Sequence, residues 1–341
     1  MHGTIHLFDR LPQVTRPTAP LGGAATPARA VPLVGVIRNL RSHRQAAALP
    51  EWSGRANLLI ETPETRGDLQ ATLARFAERR VDYIAIAGGD GTVRDVLTCG
   101  AGYFGETWPP LIIVPCGKTN ALAVDLGLPV KWTLEEAIEA VGQGRIEQRR
   151  SMIVSQRDNA DARVQGFVFG AGAYASAIQL GQKAHEKGAF NNLGVGVTAI
   201  WALMQGLFGS DNNLWRRGTA MRLFDAEGSE LPHSGHGRAD ERFLMFASTL
   251  GVFPASIKPF GLDPTGLNAA VIDGAHRGLM IRLPLVFRGL ISPRMRSFGY
   301  HVAPADGLQV DIADSFILDG EAFPGGRYRL SLGPKLRFVV P

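Results

Sequence analysis

Three short stretches of this chain combine acids, glycines and amides in patterns that could do chemistry. The first is Gly88-Gly89-Asp90-Gly91-Thr92, which follows Tyr83-Ile84-Ala85-Ile86, an apolar run with the pattern of a buried parallel strand. Glycines on both sides of Asp90 let the backbone turn tightly at the strand's carboxyl end and present N–H groups, while Val93, Val96 and Leu97 begin a helix. That geometry suits an anion. An acid at its centre would repel phosphate unless a divalent cation lies between them, a conflict that a magnesium-nucleotide complex removes. The plainer alternative is a βα turn whose Asp caps the helix.

The second stretch is Pro115-Cys116-Gly117-Lys118-Thr119-Asn120, after the strand Leu111 to Val114 and before a helix over Ala121 to Leu126. Gly117-Lys118-Thr119 imitates the end of a phosphate-binding P-loop, but the required earlier glycine would fall at Ile112, inside a strand, so a P-loop is rejected. The third is Phe316-Ile317-Leu318-Asp319-Gly320-Glu321, two carboxylates around a glycine after an apolar strand. Such a corner can hold a cation and accept a proton, and it is also an ordinary Asp-Gly hairpin turn.

The elements that must position these residues follow from periodicity. Strands are expected at Leu33 to Ile37 and Ala56 to Ile60, and Leu69, Leu73 and Phe76 mark a helix with Asp68 in its first turn. Thr133 and Glu136 form a capping box ahead of Leu134, Ile138 and Val141, and the helix should end near Gly142 and Gly144. The order β, β, α, β, α, β, α, α predicts a parallel sheet wound with helices, its ligand at the strand carboxyl ends. Beyond Gln148 short apolar runs divided by turns read as mostly β, with a helical interlude in Tyr174 to Phe208 and a mobile loop at Leu231 to Asp240. His233 and His236 on that loop have no third ligand nearby and read as solvated. The expected division is a disordered tail over 1–31, an α/β nucleotide-binding domain over 32–148 to which 325–341 returns, and a β-rich, sandwich-like domain over 149–324.

With 45% hydrophobic and 20% charged residues in 341, the chain is a folded protein long enough for two domains. Cys99 and Cys116 have neither disulfide-framework nor metal spacing, which fits a reducing, cytoplasmic setting. The net charge of +5 and pI near 9.5 permit an anionic partner. No nucleic-acid motif or aromatic platform accompanies the arginines, so nucleic acid is disfavoured. The apolar run Leu193 to Phe208 is broken by glycines and too short for a membrane span. Between Leu279 and Ser297, Arg282, Arg288, Arg294 and Arg296 interrupt an apolar segment that could meet lipid headgroups and acyl chains at the inner membrane face. Its plainer reading is a segment half-buried on the core, because Pro284 and Gly289 spoil an amphipathic helix.

Taken together and in order, the three stretches resemble the diacylglycerol kinase catalytic-domain family, which includes sphingosine, ceramide and related bacterial lipid kinases. Gly88 to Thr92 match its GGDGT signature, with Asp95 in the usual Glu place. Pro115, Gly117 and Asn120 fit P-x-G-[TS]-x-N, with Lys118 replacing the hydroxyl residue, and Asp319, Gly320 and Glu321 carry D-G-E. The opening N-P-x-S-G survives as Asn39-Leu40-Arg41-Ser42-His43, where Arg38, Arg41 and Arg44 either add phosphate contacts or sit on a solvated loop. Asn-Ala-Leu-Ala from Asn120 is similar to the sphingoid-base kinases, and Tyr174 replaces an acid of the G-x-D-A pattern.

The resemblance implies an NAD kinase/diacylglycerol kinase-like fold using ATP and Mg2+ to phosphorylate a lipid alcohol (diacylglycerol, ceramide or a sphingoid base) at the membrane surface. It implies nucleotide contacts from Asn39, Arg41, Gly88, Gly89, Asp90, Gly91, Thr92, Gly117, Lys118, Thr119, Asn120, Asp319 and Glu321. Asp319 would be the general base, with Asp90 and Glu321 organising Mg2+. The alternatives are an NAD kinase-like enzyme, which shares the GGDG turn, and an inactive lipid-binding protein. A Rossmann dehydrogenase is disfavoured because the first strand leads into Arg38-Asn39-Leu40-Arg41 and not G-x-G-x-x-G.

Overall fold

Strands β1 (Leu33–Arg38), β2 (Asn57–Glu61), β3 (Tyr83–Gly88) and β4 (Leu111–Pro115) pair in parallel in the order β2-β1-β3-β4. They open a computed structural model that describes residues 9–14, 29–42, 57–117, 119–186, 218–262 and 264–341, with only the backbone over 180–186 and at 255. The apolar centres of β1, β3 and β4 are buried, as parallel strands covered by helices require. Helix α1 (Arg66–Arg79) buries Leu69, Leu73 and Phe76, the expected stripe, and starts with a Thr65–Asp68 capping box that the sequence reading took only as an acidic first turn. Phe76 lies where a Cβ on Gly35 would be, 2.5 Å from its ring, so β1 needs glycine there to seat the helix. Helices α2 (Asp90–Phe104), α3 (Ala121–Asp125) and α4 (Leu134–Val141) follow; the Thr133–Glu136 capping box starts α4 as predicted.

The rest is largely antiparallel. It comprises β5 (Ile146–Gln156), β6 (Asn159–Gly166), β7 (Val168–Gly172), helix α5 (Ala173–Glu186), β8 (Thr219–Phe224), β9 (Glu241–Arg242), β10 (Leu244–Ser248), β11 (Asn268–Ile272), β12 (Tyr300–Pro304), β13 (Gln309–Ile312), β14 (Phe316–Leu318), β15 (Glu321–Phe323) and β16 (Gly326–Val339). A six-stranded antiparallel sheet runs β12-β11-β10-β7-β14-β15. The other strands extend the first sheet through β16, which pairs antiparallel with β5 and β13 and, at Phe338 opposite Leu111, parallel with β4. One core beneath the parallel array contains Val36, Ile86, Val96 and Ile113; a second, with Met152, Val164, Phe169, Met245, Phe316 and Leu330, lies where antiparallel strands of the two sheets face each other. The fold class is therefore the one expected: an α/β wound parallel sheet followed by a β-rich, sandwich-like region.

Some details differ from the sequence reading. Within the stretch read as tail, Leu11 is buried in the second core, Gln13 bridges Ala162, and Arg29 pairs with Asp82 at 3.0 Å. The loop 231–240 is tied down by hydrogen bonds. His233 Nε2 meets the Glu241 carbonyl at 3.2 Å, and His236 meets the Ser297 carbonyl at 2.9 Å and stacks on His276. These two histidines have backbone partners where solvation was expected. Lys118, Arg44 and the run Leu193 to Phe208 lie outside the described residues.

Candidate functional site at the strand carboxyl ends

Three loops meet where β1, β3 and β4 end, and glycine makes the closest approach possible. A Cβ on Gly117 would fall 2.6 Å from the Gly89 Cα, and one on Gly89 3.0 Å from the Gly117 Cα, so the two loops touch backbone to backbone. Asn120 fixes the second loop in a left-handed conformation (φ 48°): its Oδ1 accepts from the Gly117 N–H at 2.9 Å and its Nδ2 donates to the Gly117 carbonyl at 2.8 Å. Asn39, at the end of β1, donates to Thr92 Oγ1 at 2.9 Å and accepts the Arg41 N–H at 3.0 Å. Beside it a cavity of about 300 Å³ is lined by Asn39, Arg41, Thr65, Arg66, Thr92 and Asp95. Thr119 is exposed.

Asp90 is the first residue of α2, yet its carboxylate turns to the neighbouring loop and accepts the N–H groups of Ala121 (2.9 Å) and Leu122 (3.3 Å). It therefore caps α3 and leaves its own helix, whose N-cap is Gly89, without a side-chain cap. Burial raises its proton affinity, with the two N–H donors opposing the shift.

Asp319 arrives from the other end of the chain. It and Gly320 form the two-residue turn between β14 and β15 with φ of 46° and 80°, the left-handed pair that an Asp-Gly hairpin favours. The turn aims the Asp319 carboxylate at the bend between β6 and β7, where it accepts the N–H of Phe167 (3.0 Å) and Val168 (2.9 Å). A Cβ site on Gly91 lies 3.7 Å from the Asp319 carbonyl, so this hairpin tip touches the start of α2. Burial pushes the Asp319 carboxyl up to about 7; the Asp90 charge adds to the rise, and Arg94 and the two N–H donors oppose it.

Two residues at the site carried no prediction of their own from the sequence or were read only as a departure. Arg94, buried on α2 one turn beyond Asp90, pairs with Glu321 and with Asp95 (2.9 Å) and donates to the Leu318 carbonyl at 3.2 Å. Its i, i+4 spacing from Asp90 was the available signal. Tyr174 lies against Gly170, whose missing side chain leaves room for the ring, and its hydroxyl is kept protonated by burial and by Asp319 and Asp90 nearby. The site thus joins Asn39, Arg41, Gly88 to Thr92, Gly117, Thr119, Asn120, Asp319 and Glu321 in one region. Glu321 faces Arg94, and among the described residues no group of three or more metal-ligating side chains forms.

Residues 42–153 match the model of the diacylglycerol kinase catalytic domain family. Three solved structures from Bacillus anthracis strain Sterne share the fold of this chain, described in turn as "a putative diacylglycerol kinase", as one of the "diacylglycerol kinases" and as "a putative diacylglycerol kinase". They have TM-scores of 0.60, 0.57 and 0.58 at 16%, 15% and 16% identity, covering 92% of this chain and 99%, 98% and 99% of theirs. No curated protein matches the chain. The kinase-family match spans the glycine turn and the Gly117 loop, while Asp319 and Glu321 lie beyond it.

Proposed function

We propose that this protein transfers the γ-phosphoryl group of ATP to the hydroxyl of a lipid alcohol: diacylglycerol, ceramide or a sphingoid base. The observation that carries this reading is the meeting of Gly88 to Thr92, Gly117 to Asn120 and Asp319 at one set of strand ends, although Asp319 is distant in sequence from the other two segments. Phosphoryl transfer needs alignment and charge neutralisation more than covalent chemistry, and this arrangement provides donors, acids and a cavity together.

In this reading the backbone of Gly88 to Thr92 and the Gly117 to Asn120 loop hold the nucleotide phosphates, and Asn39, Arg41 and Asp95 line the space beside them. Asp319 accepts the proton of the lipid hydroxyl as its oxygen bonds to the γ-phosphorus and the bond to the ADP oxygen breaks. Arg94 fixes Glu321 and the carbonyl of Leu318, and so the hairpin that carries Asp319. The donor set fits Mg2+: that ion takes one or two carboxylates with phosphate oxygens and water, and Asp90 and Asp319 are two acids whose mutual repulsion it would relieve. When bound, Mg2+ neutralises charge developing on the transferred group. Asp90 would be its main protein ligand, with Glu321 contributing from the Arg94 pair. The functional division follows the same lines, a nucleotide-binding part over 32–148 and a lipid-binding part over 149–324.

Transfer of labelled γ-phosphate from ATP with Mg2+ into a panel of lipid alcohols in mixed micelles tests the reading. A labelled lipid that disappears with Asp319→Asn is the expected result. Labelling of NAD and no lipid would move the protein to the NAD kinase-like class, and labelling of neither, under several donors and cations, to an inactive lipid-binding protein.

A further inference from the structure

Between Gly274 and Ala305 the sequence holds Arg277, Arg282, Arg288, Arg294 and Arg296 and no Asp or Glu. The structure folds this stretch into two short helices, Arg277–Met280 and Leu283–Phe287, and a 3-10 turn, Pro293–Phe298. Pro284 falls in the first turn of the second helix and Gly289 takes φ of 78°, so the residues that spoil a long helix here close a compact cap. The cap's inner side is apolar and buried: Leu279, Met280, Leu283, Val286 and Met295 belong to the same core as Phe253, Phe260 and Tyr300.

Its outer side is apolar as well. Ile281, Leu285, Phe287 and Leu290 are exposed by 71%, 46%, 42% and 54%. Leu262, exposed by 54%, joins them: the Lys258 N–H donates to the Phe287 carbonyl at 2.9 Å, and Gly289 packs against Gly261 and Leu262. Single exposed leucines need no explanation, but five large apolar side chains on one small cap do. Arg288, Arg294 and Arg296 are exposed on the same cap, while Arg282 stacks on Phe298 at 3.9 Å and donates to the Gly278 carbonyl.

We propose that this cap is the surface on which the protein docks to an anionic lipid bilayer, with Leu262, Ile281, Leu285, Phe287 and Leu290 entering the headgroup boundary and the arginines meeting lipid phosphates. Charge decides the occupant. A second copy related by a two-fold axis would set arginine against arginine, and nucleic acid would leave the apolar side chains in water. A bilayer with anionic headgroups satisfies both chemistries at once. The cap also lies behind the candidate site: Phe260 stacks on Phe246 at 5.6 Å, and Phe246 meets Tyr174 at 5.5 Å beside Asp319 and Asp90. Through these rings the docked cap is in packing contact with the candidate site, a link whose use in catalysis rests on the lipid-kinase reading.

Flotation of the full chain with phosphatidylcholine vesicles, with and without phosphatidylglycerol, tests the docking directly. Wild type should float only with the anionic vesicles. Leu285→Glu with Phe287→Glu should weaken partitioning by more than about tenfold, and each of Arg288→Ala, Arg294→Ala and Arg296→Ala by about fivefold. All should leave turnover of a short-chain, monomeric acceptor unchanged. Wild type that does not float, or a double variant that floats equally well, would overturn the proposal. So would a wild-type dimer that the double variant dissociates with no change in flotation. Flotation lost in the variant without phosphorylation of any lipid would uphold the docking and reject the kinase reading.

Discussion

Asp319, half-buried on a hairpin tip, and Asp273, fully buried, both lie in the antiparallel region, yet their surroundings drive them in opposite directions. Asp273 is enclosed by counter-charge and donors: Arg242 pairs with it, His301 Nε2 lies 2.7 Å away and the Ser234 N–H donates at 2.8 Å. These hold its carboxyl far below the usual carboxylate range although burial pulls the other way. Asp319 has two backbone donors, a like charge in Asp90 and, among the described residues, the Arg94 guanidinium, already engaged by Glu321 and Asp95, to offset burial. One aspartate is neutralised for stability, and the other is left in an electrostatic deficit that a divalent ion or a proton would relieve. Such a deficit marks sites that bind or react.

The comparison breaks most visibly through function. Asp319→Asn should lower phosphoryl transfer roughly a hundredfold to ten-thousandfold in a steady-state assay, with the unfolding midpoint at pH 8 held or raised. Asp273→Asn should do the reverse. It strands the buried Arg242 guanidinium and should cost about 3–5 kcal/mol in urea unfolding, while kcat of the fraction that remains folded stays near wild type. Gly117→Ala should come next: the new methyl meets the Gly89 backbone, costing about 1–3 kcal/mol, and should remove the thermal stabilisation expected from Mg-ATP in wild type.

The smallest effect is the pH dependence of stability, and its signs separate the two acids. The folded Asp319 carboxyl is raised to about 7, so wild type carries no penalty below the ordinary aspartate value and loses stability as pH rises toward 7, after which the loss is constant. The stability of Asp319→Asn relative to wild type should therefore grow between about pH 4 and 7 and then level off. Asp273, depressed in the folded state, contributes stability above its unfolded value that disappears as pH falls below it. The deficit of Asp273→Asn should shrink in acid. Urea midpoints at four or five pH values check both.

The parallel half of the fold was legible because its signals are local. Unbroken apolar strands, the Leu69-Leu73-Phe76 stripe and the Thr133–Glu136 box each specify one element without reference to distant chain. The three site stretches were equally legible as turns with unusual residues. What the sequence did not reveal depends on pairing across long separations: that Asp90 caps α3, that Arg94 meets Glu321, and that Asp319 receives the Phe167 and Val168 N–H groups. A residue's partner 150 positions away leaves no periodicity to read. The short, irregular strands of the second region hid their order for the same reason, and Leu11 gave no sign of its place in the core because its neighbours show no period.

The opposed surroundings of Asp319 and Asp273 are read most directly by titration. Carbon-13 labelling of the aspartate side chains allows both carboxyls to be titrated by NMR in metal-free, nucleotide-free protein, with Asp319→Asn and Asp273→Asn assigning the two signals. The account predicts a midpoint near 7 for Asp319 and no titration of Asp273 above pH 4. An Asp319 signal that moves together with the surface aspartates would contradict it.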